Sequence, residues 1–107
     1  MELKAGDVTT LEVNQGHRDA KVLAVIGRQA LVEYAMPGGS TALRVLSDVP
    51  GKPDRSMSYW SIPLKWLLAI DAAGQDWEAQ PQQCGRRRPG TVAETIAARR
   101  KPALMVE

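Results

Sequence analysis

The sequence predicts a mainly β, β+α protein: a small antiparallel barrel or bent meander of about five strands, then a helix and a basic, partly helical carboxy-terminal arm. Three observations carry that expectation. Between Ala20 and Leu46, three β-rich runs are separated by two glycine-bearing turns. No strand-helix-strand pattern occurs before residue 47, which disfavours a parallel sheet. Charge divides along the chain: residues 1–80 carry eight Lys and Arg against ten Asp and Glu, net −2, whereas residues 81–107 carry six against two, net +4.

The first expected strand is Asp7 to Val13, where Thr9, Leu11 and Val13 alternate with Val8, Thr10 and Glu12 and β-branched side chains suit a pleated surface. Asn14-Gln15-Gly16 closes it, and His17 to Asp19 leads onward. Over Ala20 to Ile26, strict alternation places Val22, Ala24 and Ile26 on one face and Lys21, Leu23 and Val25 on the other. Gly27-Arg28 forms a tight turn with glycine in the positive-φ position, so Gln29 to Ala35 returns antiparallel. Met36 to Ser40, with Pro37 and Gly38-Gly39, turns the chain into a further strand over Thr41 to Leu46. Ser47 to Ser58 holds two prolines, a glycine and alternating charges; it reads as a long loop of the kind that often carries function. Met57 to Ser61 is a short fifth strand bearing Tyr59 and Trp60. A short meander of this kind hides its edges by closing on itself.

Ile62 to Gln80 reads in two ways. As a helix near 63–74, it has Ser61 as N-cap, Pro63 in the first turn and Gly74 at a left-handed end, with Ile62, Trp66, Ile70, Ala73 and Trp77 on one stripe. As the end of a barrel, Ile62-Pro63-Leu64-Lys65-Trp66-Leu67 is a turn presenting an aromatic before a last strand ending near Ile70. The helix is favoured. Pro81 to Gly90 has linker composition. Thr91-Val92-Ala93-Glu94 is then a capping box opening a helix over 91–101, with Arg99, Arg100 and Lys101 in its last turn and Pro102 beyond. Only Val92 and Ile96 anchor that helix, so it is marginal alone and orders by docking. The chain divides into a compact β-rich domain over 1–80 and a basic linker with a short helix over 81–107.

At 107 residues the chain supports one domain with a modest core, and 44% hydrophobic with 24% charged residues is globular composition. Phe is absent, so Trp60, Trp66 and Trp77 are the largest core pieces. A single cysteine, Cys84, no leader at Met1 and no apolar run of about 20 residues point to a cytoplasmic protein.

Catalytic chemistry is not evident. His17, the one histidine, stands beside Arg18 and Asp19 and reads as solvated rather than as a base. Cys84 lies near Arg86 to Arg88, which would favour its thiolate, yet its linker setting fits an inert thiol better. One Cys and one His leave a zinc site short of ligands. Gly38-Gly39 precedes a strand, so no phosphate cradle forms there. Asp7, Asp19, Asp48 and Asp54 read as local acceptors in turns. Tyr34, Tyr59, Trp60 and Trp66 would form an aromatic cage only by leaving the core that needs them. No enzyme activity, cofactor or metal is expected.

Residues 5–70, five short strands joined by glycine-bearing turns and one long loop, resemble SH3-like or Tudor-like small β-barrel domains. The Ile62-Pro63 to Trp66 turn is the most specific piece. The resemblance implies a closed barrel and transfers no ligand residues. The small size and basic arm also resemble accessory proteins of phages and mobile elements. Two functions follow. The first is a nucleic-acid or nucleoprotein binding module that neutralises phosphates with Arg86, Arg87, Arg88, Arg99, Arg100 and Lys101, helped by Lys52 and Arg55. The second is a protein adaptor or inhibitor, such as a phage-type anti-defence factor, that docks on an acidic surface with Trp60 or Trp77 as anchor.

Overall fold

Five strands form one antiparallel sheet in the order β1-β2-β3-β4-β5: β1 (Val8–Val13), β2 (Gly16–Ile26), β3 (Gln29–Ala35), β4 (Thr41–Ser47) and β5 (Arg55–Met57). Helix α1 (Leu64–Ala72) follows, then a two-stranded hairpin of β6 (Gln82–Gln83) and β7 (Arg86–Arg87), then helix α2 (Val92–Arg100). This computed structural model describes residues 2–13, 16–36, 39–77, 82–83, 86–87 and 90–100, with the backbone only at 13, 82, 83, 86 and 87.

The meander is as expected, and the barrel is not. Among the described residues β1 and β5 form no ladder, so the sheet is open. The reason lies in β5. It pairs only Arg55, Ser56 and Met57 with Val45, Arg44 and Leu43, because Pro50-Gly51 and Pro53 occupy the approach to it. Pro50 and Gly51, the latter at φ 83°, form a turn closed by the Lys52 N–H on the Val49 carbonyl at 3.1 Å; proline followed by a left-handed glycine is the type II pattern. Strand β5 therefore lies inside the segment read as a loop. Tyr59 and Trp60 leave the sheet in a turn opened by Ser58, whose carbonyl accepts from Ser61 N–H and whose hydroxyl accepts from Trp60 N–H, each at 3.1 Å. The segment that would close a barrel becomes α1 instead.

Strand β2 is longer than its apolar run and is bulged. The register slips between Val22 and Ala24, so Leu23 is the extra residue. A bulge breaks period-2 alternation, and this one reassigns the faces expected from it. Leu23 and Ala24 both join the main core, with Ile26 packed against it, whereas Val22 and Val25 belong to the opposite cluster. The amino-terminal segment is tied to the same strand. Gly6, at φ 93°, donates its N–H to the Val22 carbonyl at 2.7 Å, and Val22 N–H donates to the Asp7 carbonyl at 2.8 Å. That is a second bulge, with glycine at its left-handed first position.

Each face of the sheet carries its own core. On one, Leu23, Ala24, Leu31, Leu43 and Val45 pack with Tyr59, Ile62, Trp66, Leu67, Ile70 and Trp77, and with Val92 and Ile96 of α2. On the other, Leu11, Ala20, Val22, Ala30, Val32 and Tyr34 cluster, with Leu3, Ala42 and Leu46 against them. Helix α1 begins after Pro63, which holds the extended N-cap position in place of the expected Ser61. It ends at Gly74, φ 73°: Gly74 N–H reaches the Asp71 carbonyl at 3.0 Å and Gln75 N–H the Ile70 carbonyl at 3.1 Å, the paired bonds of a Schellman motif. Ala73 is exposed and lies outside the helix. Trp77 lies past the helix as well, yet it is buried, edge-on to Tyr59 with ring centroids 5.0 Å apart. No described helix is long and apolar enough to cross a membrane.

Candidate functional site

The basic residues fall into two groups with different physical situations. Arg86 and Arg87 lie on β7, paired with Gln83 and Gln82 of β6, so the stretch read as a linker contains a hairpin. Strand β6 comes close to β4. Strand β4 is in turn bonded to β5, where Arg55 is exposed, and Lys52 is exposed in the preceding turn. The topology thus draws Arg86, Arg87, Arg55 and Lys52 to elements that share β4 as a neighbour. Arg88, Lys101 and Cys84 lie outside the described residues.

Arg99 and Arg100 belong to α2, which is packed on α1. At its amino end the capping box forms as expected: Thr91 N–H donates to Glu94 Oε1 at 2.9 Å and Glu94 N–H to Thr91 Oγ1 at 3.1 Å. A further carboxylate, Asp76, accepts from Val92 N–H at 2.9 Å and from Trp77 N–H at 2.8 Å. Two carboxylates at the positive end of a helix suit its dipole. At the other end, Arg99 donates through Nη1 to the Ile62 carbonyl at 2.6 Å and through Nη2 to the Trp60 carbonyl at 3.2 Å. Those are the carbonyls where the chain leaves the sheet for α1. Arg99 is therefore engaged as a clamp, while Arg100 is exposed. Trp60, expected as an anchor for a partner, is half-buried against the main core, edge-on to Tyr59 at 6.3 Å.

A second feature went unread in the sequence. Glu33, in the apolar run of β3, is only 2% exposed, and its Oε2 accepts a hydrogen bond from Tyr59 Oη at 2.5 Å. Thr41 Oγ1 lies 2.6 Å from that same hydroxyl and 3.5 Å from the Glu33 oxygen. A buried carboxyl needs such partners: burying even a neutral amide or hydroxyl without them costs roughly 2–7 kcal/mol, and an ionised carboxylate costs far more. Beside Glu33 lies a groove of about 510 Å³, lined by Val8, Asp19, Lys21, Glu33, Tyr34 and Thr41 among others. Lys21 stands opposite Glu33 in the ladder. Asp19, expected in a turn, lies within β2 opposite Thr10; Asp7 and Asp54 are local acceptors, for the Lys4 and Ser47 N–H groups. The signal for the groove was a lone Glu among β3 residues that are otherwise apolar from Ala30 to Ala35.

Tyr34 sits on one face of the sheet and Tyr59 and Trp66 on the other, all buried, so these rings do not converge on a cage. His17 is exposed on β2. Comparisons with protein-family models, curated proteins and solved structures return no match for this chain.

Proposed function

We propose that the protein is a non-enzymatic binding module that contacts nucleic acid, or a nucleoprotein complex, through cations of the β6–β7 hairpin and of the β5 segment, β6 and β5 each adjoining β4. One observation carries the reading. Arg86 and Arg87 fall on a hairpin close to β4, and the exposed Arg55 and Lys52 belong to the segment bonded to β4. Cations borne on hydrogen-bonded strands lose less freedom on meeting a phosphate backbone than cations on a flexible tail. Arg99 is withdrawn from the phosphate-binding set, because its guanidinium already serves two carbonyls; Arg100 stays in it. The adaptor reading is less favoured, since Trp77 packs inward and Trp60 is half-buried against the main core.

The test is the triple change Arg86, Arg87 and Arg88 to Ala. It should leave the fold intact and weaken binding to every nucleic-acid sequence alike. The slope of log K against log salt should shrink by up to about 0.9 for each duplex phosphate that the variant no longer neutralises. A pull-down with and without nuclease should lose its partners when nuclease is present. Retention of a single protein, with weak salt dependence, supports the adaptor instead. Wild-type binding by the triple variant removes the basic run from the mechanism altogether.

A further inference from the structure

We infer that β1 is an interface strand, and that two copies of this chain pair through it, antiparallel about a two-fold axis at Thr10. The backbone groups of β1 face alternately toward β2 and away from it. Asp7 and Val22 are bonded across the bulge at Gly6, and β1 continues from there in register with β2: Val8 opposite Lys21, Thr9 opposite Ala20, and so on to Val13 opposite Gly16. In an antiparallel ladder bonded and non-bonded pairs alternate, so Thr9, Leu11 and Val13 direct their N–H and C=O toward β2. Val8, Thr10 and Glu12 direct theirs away, and no hydrogen bond to these groups is made by the described residues.

The two edges of the sheet are not treated alike. Edge β5 is blunted, with three residues, an exposed Arg55 and Pro53 just before it. Natural sheets protect their edges with such devices. Strand β1, VTTLEV, is twice as long and has no proline, lysine or arginine; its one charge is Glu12, and the bulge at Gly6 lies before the strand begins, leaving the ladder from Val8 to Val13 regular. Val8, at 66% exposure, is a large apolar side chain left in solvent on this strand. An edge left open at this length is a template for pairing.

The strand is complementary to itself in one register. Only even-numbered residues face outward, and centring the axis on Thr10 pairs Thr10 with Thr10 of the partner subunit and Val8 with Glu12 of the partner subunit, in both directions. About six inter-strand hydrogen bonds result. Thr–Thr pairs are favourable opposite one another, and this register keeps the two Glu12 carboxylates from facing each other. Each Val8 is covered. The same patch serves both copies, as a two-fold interface requires, and the two five-stranded sheets become continuous with both pairs of helices on one side. This inference stands apart from the nucleic-acid reading; either can fail alone.

Sedimentation equilibrium on the full chain over a wide concentration range tests it, with hydrogen exchange read at the Thr10 amide. The mass should rise from 11.7 kDa toward twice that value, and protection at Thr10 should rise with it. Thr10→Pro removes an outward N–H and no bond within the protomer, so it should weaken dimerisation by about tenfold or more with the melting transition retained. If that variant does not fold, Thr10→Lys, which sets two cations opposite each other, should weaken dimerisation likewise. Val8→Lys sets a cation opposite Glu12 of the partner subunit and should tighten the dimer at low salt. A chain that stays at 11.7 kDa at every concentration overturns the inference, whether the Thr10 amide exchanges freely or is covered by the chain's own segments. A dimer indifferent to Thr10 changes places the interface elsewhere, and weakening by Val8→Lys equal to that by Thr10→Lys refutes the register.

Discussion

A carboxyl group in the middle of β3 is the least expected single residue of this core, and its neighbours explain why it is tolerated. Glu33 faces the helix-bearing side, between Leu31 and the end of the strand, where Tyr59 arrives from the turn after β5 and Thr41 from the start of β4. Three segments are thereby joined at one oxygen. Tyr59→Phe keeps the ring and its edge-on packing against Trp77 but deletes the donor. It should lower stability by about 1–3 kcal/mol, the cost of leaving a buried acceptor short of a partner. The denaturant midpoint should fall while the m-value holds. An unchanged midpoint would mean that the hydroxyl bond contributes nothing net.

At the scale of elements, α2 shows how a weak helix is made to form. Its apolar content is small, and isolated helices of this length are marginal. It persists because both ends are held: Asp76 and the Thr91–Glu94 box at one, Arg99 on the Ile62 and Trp60 carbonyls at the other, with Val92 and Ile96 buried between. Gly90 is part of the same device. At φ 112°, a Cβ there would lie 2.7 Å from Glu94 Oε1, so alanine is strained by its own backbone and displaces the capping carboxylate. Gly90→Ala should cost about 1–3 kcal/mol locally. Hydrogen exchange should show it as faster exchange across 92–100 with β3 amides unaffected; equal protection in both proteins would refute the account.

For the molecule as a whole, the consequence is that the carboxy-terminal helix completes a core that the sheet and α1 leave unfinished. Val92 and Ile96 share a cluster with Tyr59, Ile62, Trp66, Ile70 and Trp77. A chain ending at Trp77 keeps every strand of the main sheet but uncovers that side of the core and lacks the Arg99 clamp. It should melt lower by roughly 10 °C or more, given that about 1 kcal/mol shifts a domain of this size by 4–8 °C. An unaltered melting temperature would show that α2 rests on the surface without stabilising it.

What the sequence alone determined is whatever depends on near neighbours. Strands β1, β3 and β4, the Gly27 turn, the Gly74 helix end and the capping box all follow from alternation, positive-φ glycine or a hydroxyl three residues before a carboxylate. The tertiary structure decided the rest, and each case turns on a segment distant in the chain. Leu23 and Ala24 share a face because β2 bulges against β3, which no period within β2 reveals. Trp77 is buried beyond its helix because Tyr59 is there to receive it. Arg99 reads as one more cation in a basic tail until folding sets it against carbonyls 37 and 39 residues away. Charge and hydropathy say what a side chain can do; only long-range packing says whether solvent or another part of the chain is there to meet it.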